Sequence, residues 1–367
     1  MNVQFVDLKA QYNNLKSEID SAIRSVIAET AFIRGRFVEE FEKAYAAKYS
    51  VKHCISCANG TDALYITLKS LGIGSGDEVI TVANSWISTS ETISQSGARP
   101  VFVDIEPDYF NIDVDKIEEK ITKRTKAVIP VHLFGQPAEI SKVKEICKAY
   151  DLFLIEDCAQ AHFAEYDSQK VGTFGIAGTF SFYPGKNLGA YGDAGTIITD
   201  NDDFAIKARM FANHGSLHKH EHEIEGINSR MDGIQAAILS VKLKNIDEWN
   251  RSRFKNALRY NDLFSNIPEV CTPRIRENSF HIFHLYVIRV KQRDELASYL
   301  KSKKIGTGIH YPIALPFLLA YKYLGHKPSD FPIAYQYQSE ILSLPMFPEL
   351  NNEQGEYVVN SVKEFFK

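Results

Sequence analysis

Lys186 is the residue of this sequence with the clearest chemical potential. It follows an apolar run and a Pro-Gly turn in the segment FSFYPGKN, which predicts a partly buried amine. Burial lowers the pKa of an amine, and such a lysine can act as the nucleophile that forms a Schiff base. Taken alone, the segment also fits a lysine in a solvent-facing loop.

Two further segments place polar groups where an apolar run ends. Asp157 closes the run LFLIED, and ligands of open α/β sheets bind at the carboxyl ends of the strands. In CANGTD, a strand is followed by Asn59, Gly60 and Thr61 and then by a helix. Free N–H groups at a helix start, beside a glycine and a hydroxyl, suit a phosphate. Each segment alone also fits a helix cap.

Together, the three segments predict a site for pyridoxal 5'-phosphate (PLP). This cofactor needs a lysine, a carboxylate that keeps its pyridine nitrogen protonated, and a phosphate cradle. The order of cradle, acid and lysine along the chain is that of aspartate-aminotransferase-like folds. Other common motifs fail, because the sequence has no G-x-G-x-x-G after a strand, no complete P-loop around Gly185 and no G-x-S-x-G elbow.

An alternation of short apolar runs and helical patterns must position these residues. The runs HCISCA, EVITVA, VFVDI, AVIPVH and LFLIED predict strands, and the segments between them, including 113–121, predict helices. This pattern predicts an α/β fold with a mostly parallel sheet that is covered on both faces. TFSFY and GTIITD add two strands, and a helix over 202–211, a polar loop over 213–229 and a long helical region from Met231 follow.

A change of pattern near residue 250 predicts a domain boundary. We expect residues 1–250 to form N-terminal helices and the large PLP-binding domain, and residues 251–367 to form a smaller α+β domain. The N-terminal helices are indicated by apolar residues at helical spacing from Leu8 to Ile27 and from Phe37 to Tyr45.

The composition disfavours several classes of function. The chain has 367 residues and a formal net charge of −4, which argues against a nucleic-acid binder that relies on bulk positive charge. Its five cysteines are scattered, and Cys54 and Cys57 lie in an apolar run, which indicates buried thiols rather than a disulfide framework or a metal site. We find neither a signal peptide nor an apolar stretch of membrane-spanning length, which predicts a cytoplasmic protein without membrane contact.

The longer motifs resemble the DegT/DnrJ/EryC1/StrS family, the PLP-dependent aminotransferases of nucleotide-linked sugars. The resembling segments cover nearly the whole chain: DLKAQY, NGTDAL, GDEVIT, PVFVDI, IEDCAQAH, SFYPGKNLGAYGDAG, NSRMDGIQAAIL and HYPIAL. The resemblance implies fold type I of the PLP enzymes. Two departures, Cys158 where alanine is common and Gly233 where glutamate is common, remove no group that the chemistry needs.

The resemblance implies a role for each site residue. Lys186 would be the catalytic residue and would carry PLP, Asp157 would pair with the pyridine nitrogen, Gln160 would contact the ring hydroxyl, and Trp86 would stack on the ring. The phosphate would be held by Gly60, Thr61, Ser181 and, from the partner subunit of a homodimer, Asn228. The residues near the sugar-nucleotide would be Arg230, His310 and Tyr311. No metal is expected.

The implied activity is transfer of an amino group from L-glutamate, which becomes 2-oxoglutarate, to a keto carbon of a nucleotide-linked sugar. The run around Lys186 is most similar to members that aminate C3 of dTDP-3-keto-6-deoxyhexoses, a step towards surface polysaccharides. Amination of C4 of a dTDP-, GDP- or UDP-4-keto sugar and amination of a UDP-3-keto sugar are the alternatives. Lys186 counts against a dehydratase or deoxygenase, and the intact Lys186, Asp157 and Gln160 count against a non-catalytic regulatory or binding protein.

The polar loop raises two further questions. Its histidines could bind a metal, but without a helical i, i+4 frame the pattern favours a polar loop beside the active site. The histidines are His214, His218, His220 and His222. The loop is too hydrophilic to pack into its own core, and the next segment has an apolar face that needs burial, formed by Met231, Ile234, Ile238 and Val241. Together with the resemblance, these features predict a homodimer with shared active sites.

Overall fold

The computed structural model describes residues 1–218 and 220–367, and Lys219 lies outside the described residues. The α-helices are Leu8–Ala28 (α1), Arg36–Tyr49 (α2), Gly60–Ser70 (α3), Ser88–Ser96 (α4), Ile140–Ala149 (α5), Asp202–Phe211 (α6), Gly233–Leu243 (α7), Ile246–Phe264 (α8), Arg293–Ser302 (α9), Pro332–Tyr337 (α10) and Asn352–Phe365 (α11). The strands are His53–Cys57 (β1), Glu78–Val82 (β2), Arg99–Val103 (β3), Thr125–Ile129 (β4), Phe153–Asp157 (β5), Glu165–Tyr166 (β6), Gln169–Lys170 (β7), Ala177–Ser181 (β8), Gly195–Thr199 (β9), Ser279–Phe280 (β10), Tyr286–Arg289 (β11) and Ile341–Leu344 (β12).

A seven-stranded sheet organises most of the chain. Its strand order is β1-β9-β8-β5-β4-β2-β3, and β9 runs antiparallel to both of its neighbours while the other pairs are parallel. Its strands are short apolar runs, and β2 and β9 are buried at every position because both faces of the sheet are covered. The prediction of an α/β fold with a mostly parallel sheet is confirmed.

The sheet brings the three predicted segments to one edge. β5 and β8 are parallel neighbours in which Asp157 pairs with Thr179, so their carboxyl ends lie side by side. β1 points the same way, because it and β8 are both antiparallel to β9, and β1 leads through Asn59 into α3. The end of β1, the end of β5 and the turn after β8 therefore meet at the same side of the sheet.

Two local predictions need correction. Residues 113–121 form no α-helix but two short 3-10 helices, Val114–Lys116 and Glu118–Lys120, the first of which is capped by Asp113. The long helical region predicted after Met231 is confirmed and consists of two helices, α7 and α8. The apolar face of α7 is largely covered within the chain, because Ile238 and Val241 pack with Leu15 and Ile19 of α1. This face therefore does not by itself require a partner subunit.

The C-terminal part contains a two-stranded antiparallel sheet, β11 with β12. The long helix α8 contacts both parts of the chain, since Asn250 bonds Asn187 and Arg253 donates to the carbonyl of Met346. Residue 250 lies inside this helix, and the division at that point remains a prediction.

The structure also bears on the cysteines and on membrane-spanning helices. Cys54 and Cys57 are buried free thiols, and burial raises the pKa of both, as expected for cysteines that pack in a strand. Within residues 1–218 and 220–367, no helix has the length and apolar character needed to cross a membrane.

Candidate active site

A cavity of about 550 Å³ opens at the carboxyl edge of the sheet. Nine of the residues predicted from the sequence line it: Gly60, Thr61, Trp86, Asp157, Gln160, Ser181, Lys186, His310 and Tyr311. Its size is within the usual range for a small-molecule site. Residues that are as far apart in the sequence as 60 and 311 thus line the same cavity.

Lys186 and Asp157 are oppositely charged residues that line this cavity, as does Asp193. Lys186 lies in the turn after β8, where its N–H donates to the carbonyl of Tyr183, and the residue is half-buried. Burial lowers the pKa of Lys186 to about 8, and the nearby Asp157 carboxylate opposes this shift. The prediction of a partly buried amine is confirmed, and an amine with this pKa is partly unprotonated near neutral pH.

Asp157 has hydrogen-bond partners and is not a helix cap. Burial raises its pKa, while the Thr89 hydroxyl at 2.8 Å and the backbone N–H of Ala159 at 3.1 Å donate to it and oppose the rise. The charge of Lys186 opposes the rise as well. The carboxylate is therefore fixed in orientation and faces a cavity in which a cationic nitrogen would compensate its burial.

The start of α3 forms a close-packed polar corner with the end of β8. A Cβ added to Gly60 would lie 2.5 Å from the Cβ of Ser181, so only glycine allows this approach. The side chain of Asn59 caps the helix by accepting from Asp62 N–H at 2.8 Å, and the Thr61 and Ser88 hydroxyls are 2.7 Å apart. The first backbone N–H groups of the helix, with these hydroxyls beside them, suit an anion.

Gln160 links two walls of the cavity. Its Oε1 accepts from the N–H of Phe134 at 2.7 Å, and its Nε2 donates to the Tyr311 hydroxyl at 3.0 Å. The ring of Tyr311 lies 5.6 Å from that of Trp86, which is 57% exposed. These contacts hold Gln160 and Tyr311 in place and leave the face of Trp86 accessible.

Asn228 and Arg230 are not among the described residues that line this cavity. Asn228 is exposed and pairs with Asn213 across the base of the polar loop. Between them, the Ser229 hydroxyl accepts from Ala58 N–H and donates to Asp62, which ties this segment to the back of the α3 start. The cofactor role of Asn228 and the substrate role of Arg230 remain predictions.

Several cavity residues were not predicted from the sequence. Thr89 on α4 donates to Asp157, Phe5 stacks on His310 at 5.7 Å, and His284 lines the cavity. Thr89 had a weak signal, since hydroxyls are frequent in the segment SWISTSET. The positions of Phe5 and His284 depend on contacts between distant parts of the chain and had no local signal.

A buried cluster near the cavity resembles a metal site in residue type only. Ligand atoms of His132, Glu156 and Cys158 lie within 4.8 Å of one another. The Glu156 carboxylate already accepts from the backbone N–H groups of Gly172, Phe174 and Gly175 and lies 3.1 Å from His132 Nε2. Its lone pairs are thus used in structural hydrogen bonds. The histidines of the polar loop that the structure describes are exposed.

Comparison with known proteins identifies relatives that match nearly the whole chain. The model of the DegT/DnrJ/EryC1/StrS aminotransferase family matches residues 13–363. A Geobacillus stearothermophilus protein named pleiotropic regulatory protein is 46% identical over 100% of this chain and 99% of its own length. The dTDP-3-amino-3,6-dideoxy-alpha-D-galactopyranose transaminase of Aneurinibacillus thermoaerophilus is 42% identical over 99% of both chains. The UDP-2-acetamido-2-deoxy-3-oxo-D-glucuronate aminotransferase of Pseudomonas aeruginosa is 39% identical over 95% of this chain and 96% of its own.

Solved structures give the same result. DesV of S. venezuelae, in complex with a ketimine intermediate, superimposes with a TM-score of 0.97 at 38% identity, over 99% of this chain and 98% of its own. NtdA of Bacillus subtilis with bound cofactor PMP has a TM-score of 0.89 at 32% identity, over 96% of this chain and 82% of its own. The arrangement of acid, lysine and helix start thus occurs on a backbone shared with aminotransferases, and this chain belongs to the DegT/DnrJ/EryC1/StrS aminotransferase family.

Proposed function

We propose that this protein binds PLP and transfers the amino group of L-glutamate to C3 of a dTDP-3-keto-6-deoxyhexose, which yields a 3-amino-3,6-dideoxyhexose. The observation that carries the proposal is the meeting of the Lys186 amine and the Asp157 carboxylate in one cavity. The relatives that are named as transaminases of 3-amino or 3-oxo sugars favour C3 over C4.

The cavity residues fit the cofactor. The corner where Gly60 packs against Ser181 suits a phosphate, because both residues line the cavity at the start of α3. Asp157 fits a protonated ring nitrogen, and the exposed face of Trp86 fits an aromatic ring. When bound, PLP supplies an electron-withdrawing ring that delocalises the electron pair left by proton removal from the substrate carbon.

Lys186 supplies the acid–base chemistry in this proposal. With its pKa lowered to about 8, its Nζ can take the proton from the α-carbon of glutamate and return one to the former keto carbon of the sugar. Tyr311 and Trp86 line the same cavity, with their rings 5.6 Å apart. His310, whose pKa burial lowers to about 4, stays neutral beside the substrate.

An assay with a small set of keto sugars tests the proposal. The purified protein is incubated with PLP, L-glutamate and one of four acceptors: dTDP-3-keto-6-deoxyglucose, dTDP-4-keto-6-deoxyglucose, GDP-4-keto-6-deoxymannose or a UDP-3-keto sugar. We expect 2-oxoglutarate and an amino sugar, seen by mass spectrometry, with the first acceptor preferred. Preference for another acceptor would correct the sugar or the carbon and retain the transamination.

The relative named as a regulatory protein favours one second candidate, a protein that keeps the fold without turnover. Addition of PLP to the protein distinguishes the two. The enzyme should develop a visible absorbance band that borohydride abolishes, an expectation from PLP chemistry in general. A protein that remains colourless with PLP and converts none of the sugars would be the regulatory type.

We also propose a homodimer in which Asn228 completes the phosphate site of the partner subunit. Asn228 is exposed, and the neighbouring segment presents exposed apolar side chains, with Phe32 46% and Ile33 50% exposed. Phe32 accepts from Gly233 N–H at 2.7 Å, so this apolar surface lies beside the start of α7. A neutral amide can donate to a phosphate, whereas a carboxylate would repel it.

Subunit mixing tests the shared site. Asn228→Asp alone should be severely impaired. Mixed with Lys186→Ala subunits, it should regain part of the wild-type activity, because a heterodimer holds one site with both defects and one with neither. If subunit exchange is verified and no activity returns, Asn228 acts within its own subunit. A monomer by light scattering would contradict the proposal directly.

A further inference from the structure

A buried chain of hydrogen bonds runs behind Lys186. The side chain of Asn187 donates through Nδ2 to Asn250 Oδ1 at 2.8 Å and to the carbonyl of Ile282 at 3.2 Å. Asn250 in turn donates to the carbonyl of His162 at 2.9 Å. The Oδ1 of Asn187 lies 3.2 Å from Nδ1 of His284, which lines the cavity. The chain thus connects α8 with the cavity wall.

The two backbone carbonyls fix the orientation of each side chain in this series of hydrogen bonds. A carbonyl oxygen only accepts, so the atoms that face Ile282 and His162 must be the NH₂ groups of the two asparagines. The Oδ1 of Asn187 is then an acceptor, and His284 must donate to it through Nδ1–H. In a neutral imidazole the other nitrogen then carries a lone pair. His284 is thereby held in one tautomer, with an acceptor at Nε2.

This acceptor is open to the cavity. Nε2 of His284 has no hydrogen-bond partner among the described residues. Unlike the Nε of Arg230, which is also unpaired, it is not fully buried. His284 is 9% exposed, and it is one of the residues that line the cavity. Burial and the charge of Lys186 hold the pKa of His284 well below its usual value, so the imidazole is neutral.

We propose that His284 is a specificity-determining residue whose Nε2 accepts a hydrogen bond from a hydroxyl of the nucleotide-linked sugar. The inference rests on the proposed function. A fixed lone pair attracts a donor and repels phosphate, carboxylate and keto oxygens, which are acceptors. His284 is too weak a base to take the proton of Lys186. His310 offers no such fixed acceptor, because its partner, the Ser343 hydroxyl at 2.8 Å, can either donate or accept.

Binding of unreactive nucleotide sugars tests the proposal. The holoenzyme, His284→Phe and His284→Gln are titrated by calorimetry with dTDP-glucose and with dTDP, and with UDP-glucose and UDP. We expect His284→Phe to bind the nucleotide sugar about tenfold more weakly and the free nucleotide unchanged, as for loss of one hydrogen bond. His284→Gln can place an amide oxygen near the position of Nε2 and should recover most of the affinity.

His281→Phe is the matched control. His281 is a buried histidine of the same segment, accepts from Phe283 N–H at 3.0 Å and stacks on that ring, and it does not line the cavity. Its substitution removes an imidazole and a buried hydrogen bond, as His284→Phe does. It should leave the ratio of sugar to nucleotide affinity unchanged.

Three results would overturn the assignment. Equal losses for the nucleotide sugar and the free nucleotide would place the effect outside the sugar. A lower PLP affinity of the apo form of His284→Phe, with nucleotide-sugar affinity retained, would make the cofactor the donor. Nitrogen-15 shifts of wild-type His284 that indicate Nε2–H would refute the tautomer, even if the variants do not fold. If no nucleotide sugar binds the wild-type protein, the proposed function fails and this inference with it.

Discussion

Lys186 and Lys242 are two lysines associated with residues 184–192, and they differ in their access to a ligand. Lys186 belongs to this stretch and lines the cavity. Lys242, on α7, is fully buried behind it and donates to the carbonyl of Gly189 at 2.6 Å, with its amine 4.3 Å from the centre of the Tyr191 ring. Burial lowers the pKa of both lysines to about 8.

The difference lies in access and partner rather than in the pKa. A carboxylate opposes the lowering of the pKa in both cases, Asp157 for Lys186 and Glu349 for Lys242. Lys186 faces an open cavity, whereas the amine of Lys242 already has a carbonyl and an aromatic ring as partners. A lowered pKa alone therefore does not identify a catalytic lysine. An amine becomes a nucleophile only where a ligand can reach it.

The largest expected effect comes from removal of the lysine in the cavity. Among the described residues that line the cavity, Lys186 is the only lysine, so Lys186→Ala removes both the amine that holds the cofactor and the proton carrier. We expect turnover to fall by at least about 10⁴-fold while the fold is retained. Steady-state kinetics and circular dichroism measure the two quantities. Activity within tenfold of wild type would exclude Lys186 from the mechanism.

The second effect concerns the carboxylate that opposes Lys186. Asp157→Asn keeps the shape and a hydrogen-bond acceptor for Thr89 but removes the charge, so turnover should fall by about 10²–10³-fold. Its matched control is Glu156→Gln on the opposite face of β5. Glu156 accepts from three backbone N–H groups, so this change should mainly lower the melting temperature. An Asp157→Asn variant with wild-type turnover would make Asp157 a structural acid like its neighbour.

The sequence predicts those site residues whose positions depend on local patterns, and it does not predict those whose contacts join distant parts of the sequence. Asp157 and Lys186 were predicted because each follows its own strand, and parallel neighbours bring their ends together. Lys242 and His284 were not, since their partners Gly189 and Asn187 lie 53 and 97 residues away and no periodic pattern reports such contacts. The segment 113–121 has a helical pattern, but its core residues Val114 and Ile117 are three residues apart, which is the period of the 3-10 helices that it forms.

The smallest effect tests the second lysine, through stability rather than turnover. The folded state holds the pKa of Lys242 at about 8 and the unfolded chain near 10.5, so between these values the unfolded chain binds more protons. The free energy of unfolding therefore rises with pH in this window, by up to about 3 kcal/mol from this one group. Below pH 8 both states are protonated, and the contribution is constant.

Lys242→Met isolates this contribution, because it keeps the length of the side chain and removes the amine. The difference in unfolding free energy between wild type and Lys242→Met should shift in favour of the wild type from pH 8 to 10.5, as measured by urea unfolding. The variant leaves the Gly189 carbonyl without its donor, at a cost of about 1–3 kcal/mol, yet turnover should stay within about tenfold because the cavity is intact. Lys244→Met, at the exposed end of the same helix, controls for the loss of one positive charge. A constant difference across this pH range would mean that Lys242 titrates alike in both states, and a turnover loss as large as that of Lys186→Ala would mean that the buried lysine, too, takes part in the chemistry.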